Sequence, residues 1–233
     1  MALTKGCDGG VVRIGLFGGT FNPVHIGHLR AAEEIRELFT LDKVIFIPAH
    51  IAPHKQSADL ASSQHRLNML ECAIKSNPYF MTSDVELKRS GRSYSVETLR
   101  YFKESLPEAQ APFFVMGLDA FLEIDTWKQY QDLFSLCNVI VMTRPGYAAP
   151  AAEQFVPRQL VNEFTFQPDE KKYLHASGCS VFIADIPALD ISSAAIRKRI
   201  ARGHSVTYLV PEAVEDYLKK MNLYRSSRTT ASR

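Results

Sequence analysis

Five short apolar runs, separated by stretches with helical periodicity, constrain this chain more than any other feature. "VVRIGLF" (11–17), "KVIFIP" (43–48), "PFFVMG" (112–117), "NVIVMT" (138–143) and "SVFIAD" (180–185) are rich in branched and aromatic residues, and each ends at polar or Gly/Pro punctuation. Runs that are apolar on both faces belong to parallel strands covered on two sides by helices. Between them, Leu29, Ala32, Ile35 and Phe39 recur at helical spacing, as do Leu67, Leu70 and Ile74, and then Val96, Leu99, Phe102 and Leu106. This alternation predicts right-handed βαβ units in a doubly wound, Rossmann-like α/β sheet with helices on both faces, whose ligand site lies at the carboxyl ends of the strands. Near the end, "VPEAVEDYLKKMNLY" predicts a packing helix with Pro211 as its first residue and Val214, Tyr217, Leu218 and Met221 on one stripe.

The chain's 233 residues, 46% of them hydrophobic, suffice for one large domain. That domain is expected over 11–224, with flexible ends at 1–10 and 225–233 and an irregular insertion or subdomain at about 144–178. A formal net charge of +2 argues against a protein held on nucleic acid by its overall field, while leaving small anionic substrates open. Cys7, Cys72, Cys137 and Cys179 are far apart with no CxxC pair, which reads as reduced thiols and no structural zinc. "MALTKGCDGG" has no apolar core, and no apolar run reaches spanning length, so a cytoplasmic protein without a membrane partner is expected.

The chemistry concentrates in "RIGLFGGTFNPVHIGHLRAAEEI" (13–35), where a strand passes through a Gly-rich turn into a helix. It fits neither GxGxxG nor GxxxxGK[ST]. Gly18 and Gly19 still remove side chains where backbone N–H groups approach a ligand, and the helix expected to begin near Gly27 points its positive end at the same place. A phosphate suits that geometry. His25 and His28 share a face of the first turn, where two imidazoles can donate hydrogen bonds to phosphate oxygens; capping or packing is the structural alternative. Late in the chain, "ISSAAIRKRI" (191–200) offers Ser192 and Ser193 as caps of a second helix, with Arg197 one turn in as a planar fork of donors.

"GGTFNPVHIGHL" resembles the GGTFDPxHxGH signature of the HxGH nucleotidyltransferase superfamily, and "ISSAAIR" resembles its late ISSxxIR segment. "PAHIAPHK" (48–55), "GRSYSVETL" (91–99) and the stretch from Gly117 to Gly146 are similar to segments of bacterial nicotinate-nucleotide adenylyltransferases. The resemblance runs over about 11–224 and implies transfer of AMP from ATP to nicotinate mononucleotide, giving deamido-NAD and pyrophosphate, with Mg²⁺ held through phosphates and water rather than by a protein cage. It assigns His25, His28 and Arg197 to catalysis, and Gly18, Gly19, Thr20, Phe21, Ser192 and Ser193 to the ATP phosphates. Three positions depart from the family pattern: Asn22 stands where Asp is usual, Ala194 where Thr is, and Ala52 where Pro is more frequent.

For the acceptor, the resemblance points to His54, Lys55, Ser93, Tyr94, Ser95, Asp119 and Trp127. Their own chemistry leaves plainer readings beside it. Trp127 can stack on a pyridine ring or anchor a helix. Ser93, Tyr94 and Ser95 precede a helix and can hold a carboxylate while capping. His54 and Lys55 suit a phosphate or a solvated loop, and Asp119 a ribose hydroxyl or a helix cap. Arg144 is a further candidate for a phosphate or adenine-side contact. Rival readings are a different phosphorylated acceptor, such as nicotinamide mononucleotide, a class I synthetase fragment, and a nucleotide-sensing module without turnover. The absence of a KMSKS-like loop weighs against the second. A homo-oligomer is left open.

Overall fold

A computed structural model describes residues 12–50, 60–89, 91–106, 111–143, 150–187 and 189–225. Eight strands form one sheet in the order β3-β2-β1-β4-β5-β8-β7-β6. These are β1 (Ile14–Gly19), β2 (Lys43–Pro48), β3 (Phe80–Thr82), β4 (Phe113–Gly117), β5 (Asn138–Thr143), β6 (Phe164–Gln167), β7 (Lys172–His175) and β8 (Ser180–Asp185). The helices are α1 (Ile26–Leu38), α2 (Ser63–Ile74), α3 (Ser95–Ser105), α4 (Leu118–Leu122), α5 (Tyr130–Leu136), α6 (Ala152–Phe155), α7 (Ser193–Ala201) and α8 (Glu212–Lys220).

The strands from β3 through β8 in that order pair parallel, while β7 runs antiparallel to both β8 and β6. The sheet is therefore doubly wound with a mixed edge. All five runs read as strands are in its parallel part. The short β3, β6 and β7 were not anticipated: they are three or four residues long and half-polar, so they carry almost no period-2 signal.

Burial explains why the long strands read as continuous apolar runs. Ile14, Leu16, Ile45 and Ile47 pack to one side with Val96, Leu99 and Phe102 of α3 and Leu133 and Phe134 of α5. Phe17, Val44 and Phe46 face the opposite side, against Ala32 and Ile35 of α1, Met69 and Leu70 of α2, Ile196 of α7, and Val214 and Leu218 of α8. Neither face of β1 or β2 is left for water.

Two boundaries differ from the sequence reading. β1 runs from Ile14 to Gly19 rather than 11–17, because Gly18 and Gly19 continue the ladder opposite Ile47 and Pro48. The two glycines thus end a strand, and the turn begins at Thr20. Pro211 caps α8 instead of opening it, its carbonyl accepting from Val214 N and Glu215 N, and Met221 lies past the helix end, 38% exposed.

The strand order reverses between β1, which leads outward through β2, and β4, which leads through β5 to β8. A crevice at such a switch point is where open α/β sheets place ligands. Its floor is made by Gly18 and Gly19 at the end of β1 and Gly117 at the end of β4.

Candidate active site

The turn from β1 to α1 is held by side chains on its carbonyls. Thr20 O accepts from Arg66 Nη1 at 2.9 Å, Asn22 O from Arg197 Nη1 at 2.9 Å, and Pro23 O from Ser193 Oγ at 2.9 Å. Asn22 is 4% exposed, and its Oδ1 accepts from Ala61 N at 3.0 Å and from the Tyr224 hydroxyl at 2.5 Å. Burial pushes the Tyr224 phenol above its usual range, so it remains a neutral donor. The Asn22–Pro23 peptide is cis.

Phe21 has φ 49°, in the left-handed region, and its ring is buried against Phe17, Phe46 and His28. A Cβ on Gly19 would sit 2.8–3.1 Å from that ring. Gly19 is therefore required by the protein's own packing, whatever it also offers a phosphate. Around Gly18 the nearest atoms, on Phe114, would be at ordinary contact distance of 3.6 Å and beyond.

His25 is the N-cap of α1 and His28 its third residue. Their rings stack with centroids 3.6 Å apart and planes at 29°, and His25 N–H donates to His28 Nδ1 at 3.3 Å. In the neutral ring that bond leaves the proton of His28 on Nε2. His25 is 6% exposed; burial lowers its pKa to about 4, so it is neutral at physiological pH. Its Nδ1 is buried with no hydrogen-bond partner among the described residues. A Cβ on Gly27 would lie 3.1 Å from that atom, which explains the glycine between the two histidines. Ile26 N–H at the start of α1 is taken up by Leu209 O at 3.0 Å.

The second helix end arrives beside the first. Ser192 caps α7, accepting from Ala195 N at 3.2 Å. Ser193 was expected to share that task; as the first helical residue it bonds across to Pro23 O and ties the two helix starts together. Arg197 reaches Asn22 O with Nη1, and its Nε is buried without a partner among the described residues. Two positive helix ends, two stacked imidazoles and a guanidinium thus occupy one side of the crevice.

The other side is built around the start of α3. Tyr94 is its N-cap without a side-chain capping bond, and Ser95 is its first residue. The Ser93 hydroxyl accepts from His50 N at 2.9 Å, joining this loop to the end of β2. Behind it, Thr98 Oγ1 donates to Glu86 Oε1 at 2.7 Å and Arg89 Nη1 to Thr98 Oγ1 at 3.0 Å. Burial pushes the Glu86 carboxyl above its usual range, against hydrogen bonds from Thr98 and Ser93. The Lys128 ammonium lies 4.3 Å from the Tyr94 ring centroid and 2.8 Å from Glu97 Oε1. Trp127 is half-buried, its ring edge-on to Phe114 at 6.4 Å, so packing is one of its duties. Asp119 is exposed in the first turn of α4, whose cap is Gly117, so the capping role open to Asp119 in the sequence is filled by another residue. His54, Lys55 and Arg144 lie outside the described residues.

Arg66, Glu86, His50 and Tyr224 were not singled out in the sequence. Arg66 did carry a signal. It occupies the stripe continued by Leu70 and Ile74 on α2, where an apolar residue is the rule.

A cytidylyltransferase-like family model matches residues 16–199. The "Probable nicotinate-nucleotide adenylyltransferase" of Citrifermentans bemidjiense is 45% identical over 217 residues, covering 93% of this chain and 100% of the relative. A protein of the same description from Geobacter sp. strain M21 matches at 45% over 217 residues, with the same coverage. Among solved structures, Plasmodium falciparum nicotinic acid mononucleotide adenylyltransferase complexed with NaAD superposes with TM-score 0.67 at 20% identity, over 91% of this chain and 97% of that one, which is a likeness of fold. The chain belongs to the cytidylyltransferase-like group and, within it, to the nicotinate-nucleotide adenylyltransferase family.

Proposed function

We propose that the chain transfers the adenylyl group of ATP to nicotinate mononucleotide, forming nicotinate adenine dinucleotide and releasing pyrophosphate, in the cytoplasm. The observation that carries this reading is the joined pair of helix ends: the Ser193–Pro23 bond sets the starts of α1 and α7 side by side, with the His25–His28 stack and Arg197 between them. The relatives' names supply the acceptor.

The reaction needs no protein nucleophile. A phosphate oxygen of the mononucleotide bonds to the α-phosphorus of ATP, the bond from that phosphorus to the α,β-bridging oxygen breaks, and pyrophosphate leaves with the electron pair. The protein's tasks are alignment and stabilisation of charge on the leaving group. His28 Nε2–H is assigned as a donor to the triphosphate. His25, neutral at physiological pH, is assigned to the same phosphates. Arg197 and the start of α7, with Ser192 and Ser193, take the β and γ phosphates. Gly18 and Gly19 are assigned to the floor, where their lack of side chains leaves room for phosphate, and Thr20 and Phe21 to backbone contacts from the turn. Magnesium enters as part of the Mg·ATP substrate, held through phosphate oxygens and water.

For the acceptor, the N–H groups at the start of α3, with Ser93, Tyr94 and Ser95, are assigned to the nicotinate carboxylate, and the open side of Trp127 to the pyridine ring. Asp119 is assigned to a ribose hydroxyl, His54 and Lys55 to the mononucleotide phosphate, and Arg144 to a further phosphate or adenine-side contact.

The test is pyrophosphate release from Mg·ATP in parallel reactions with nicotinate and nicotinamide mononucleotides. Release at least about tenfold faster with the nicotinate form, a difference worth about 1.4 kcal/mol, is expected. Equal rates would overturn the acceptor assignment, and no release with either would overturn the enzymatic reading.

A further inference from the structure

Arg66 is fully buried, 0% exposed, in the first turn of α2. Its guanidinium donates to Thr20 O at 2.9 Å, His50 O at 3.1 Å, Ala61 O at 3.2 Å and Ser63 Oγ at 3.3 Å. Every one of these partners is neutral. No described carboxylate forms an ion pair with it; the acidic groups within electrostatic reach are Tyr224 and then Glu86, and burial pushes both toward their neutral forms. Burying a cation away from a counter-anion is unfavourable, and folds rarely keep one unless something repays it.

The partners show where repayment comes from. Thr20 O belongs to the turn under the proposed triphosphate site. In a planar trans peptide the carbonyl and the following N–H point in opposite directions. With Thr20 O turned in toward Arg66, Phe21 N–H is turned out, and it has no hydrogen-bond partner among the described residues. The left-handed φ of Phe21 is a conformation a bulky residue adopts only when its surroundings dictate it. His50, the second partner, bonds through its own N–H to Ser93 and through Nδ1 to Ser63 Oγ. One guanidinium therefore joins the ATP-side turn to the acceptor-side loop.

We propose that Arg66 is a positioning residue for adenylyl transfer: it fixes the Thr20–Phe21 peptide so that Phe21 N–H faces the nucleotide's phosphates, holds the acceptor loop in register through His50, and has the bound triphosphate as the anion that its described partners do not supply. The inference rests on the adenylyl-transfer reading. It differs from it in assigning work to a side chain that touches neither substrate.

The decisive comparison is Arg66→Lys against Arg66→Met. Lysine keeps the charge but offers a point donor in place of the fork that holds three carbonyls; methionine keeps neither. For the folded lysine variant, kcat is expected to fall about tenfold or more with KM for ATP within about threefold. For the methionine variant, KM for ATP or the dissociation constant of α,β-methylene-ATP is expected to rise about tenfold as well. Both variants losing only thermal stability, with kcat and KM within twofold of the parent below their melting points, would overturn the proposal. If neither variant folds, the parent protein decides. Hydrogen exchange at the Phe21 amide, with and without α,β-methylene-ATP, should slow at least about tenfold on binding, and unchanged exchange would refute the orientation assigned to that peptide. A parent that binds no α,β-methylene-ATP and turns over no ATP would instead refute the functional reading.

Discussion

Replacing Gly27 by Ala should separate stability from activity. Gly27 lies in the first turn of α1 and has no positive φ, so alanine is permitted by the backbone and is favoured in a helix by up to about 1 kcal/mol. The new Cβ, however, would sit 3.1 Å from His25 Nδ1 and 3.2 Å from its Cε1, where ordinary contact begins at 3.4 Å. The imidazole has to move by about 0.3 Å. It cannot move alone, because it stacks on His28 at 3.6 Å and its backbone N–H bonds to His28 Nδ1 at 3.3 Å. Misplacement of about 1 Å lowers rates by about a hundredfold, so this shift, passed to the proposed phosphate donor, should lower kcat by roughly three- to tenfold. The melting temperature should stay unchanged or rise by up to a few degrees. Steady-state pyrophosphate release and a thermal melt on the same preparation measure both. A variant with parental kcat would refute the claim that the His25–His28 stack is positioned for turnover, and one that loses both equally would show that Gly27 serves folding alone.

His28→Ala removes the proposed donor to the triphosphate and should lower kcat by about a hundredfold or more in a folded protein, measured by the same assay. His25 makes stability pH-dependent. Its folded pKa of about 4 lies below the ordinary value of 6.5, so the unfolded chain takes up the proton first as pH falls; stability present above pH 6.5 is lost between there and pH 4. About 3 kcal/mol is at stake, and denaturant titrations at both pH values should show that loss shrinking in His25→Gln. Tyr224→Phe removes one of the donors to Asn22 Oδ1 and should lower stability by about 1 kcal/mol in the same titrations. Asn22→Asp keeps an acceptor for Ala61 N–H and the Tyr224 hydroxyl, so its kcat should stay within about threefold of the parent.

What the sequence revealed, and what it hid, follows from the range of the interactions. β1, β2, β4, β5 and β8 are buried on both faces, so each advertises itself as an unbroken apolar run. β6 and β7 form by pairing with β8 at the sheet edge, and nothing in "FTFQ" or "KYLH" separates them from a loop. In the same way, the positions of His25 and His28 at a helix start were legible from Gly27 and the turn residues before it. The duties of Asn22 and Arg66 were not. Asn22 meets Tyr224 202 residues away in the chain, and Arg66 meets Thr20 46 residues away, partners that only the assembled fold supplies. Gly19 and Gly27 have a second duty hidden for the same reason: they clear space for Phe21 and His25, contacts that cannot be read from spacing.

The measurement that tests the central claim most directly is the fate of a label on the α-phosphorus of ATP during turnover with nicotinate mononucleotide. Direct in-line transfer between two helix ends, with no protein nucleophile, predicts that all the α label enters the dinucleotide, that β and γ labels appear in pyrophosphate, and that acid-quenched protein carries none. Label retained covalently on the protein, or α label released with pyrophosphate, would contradict it.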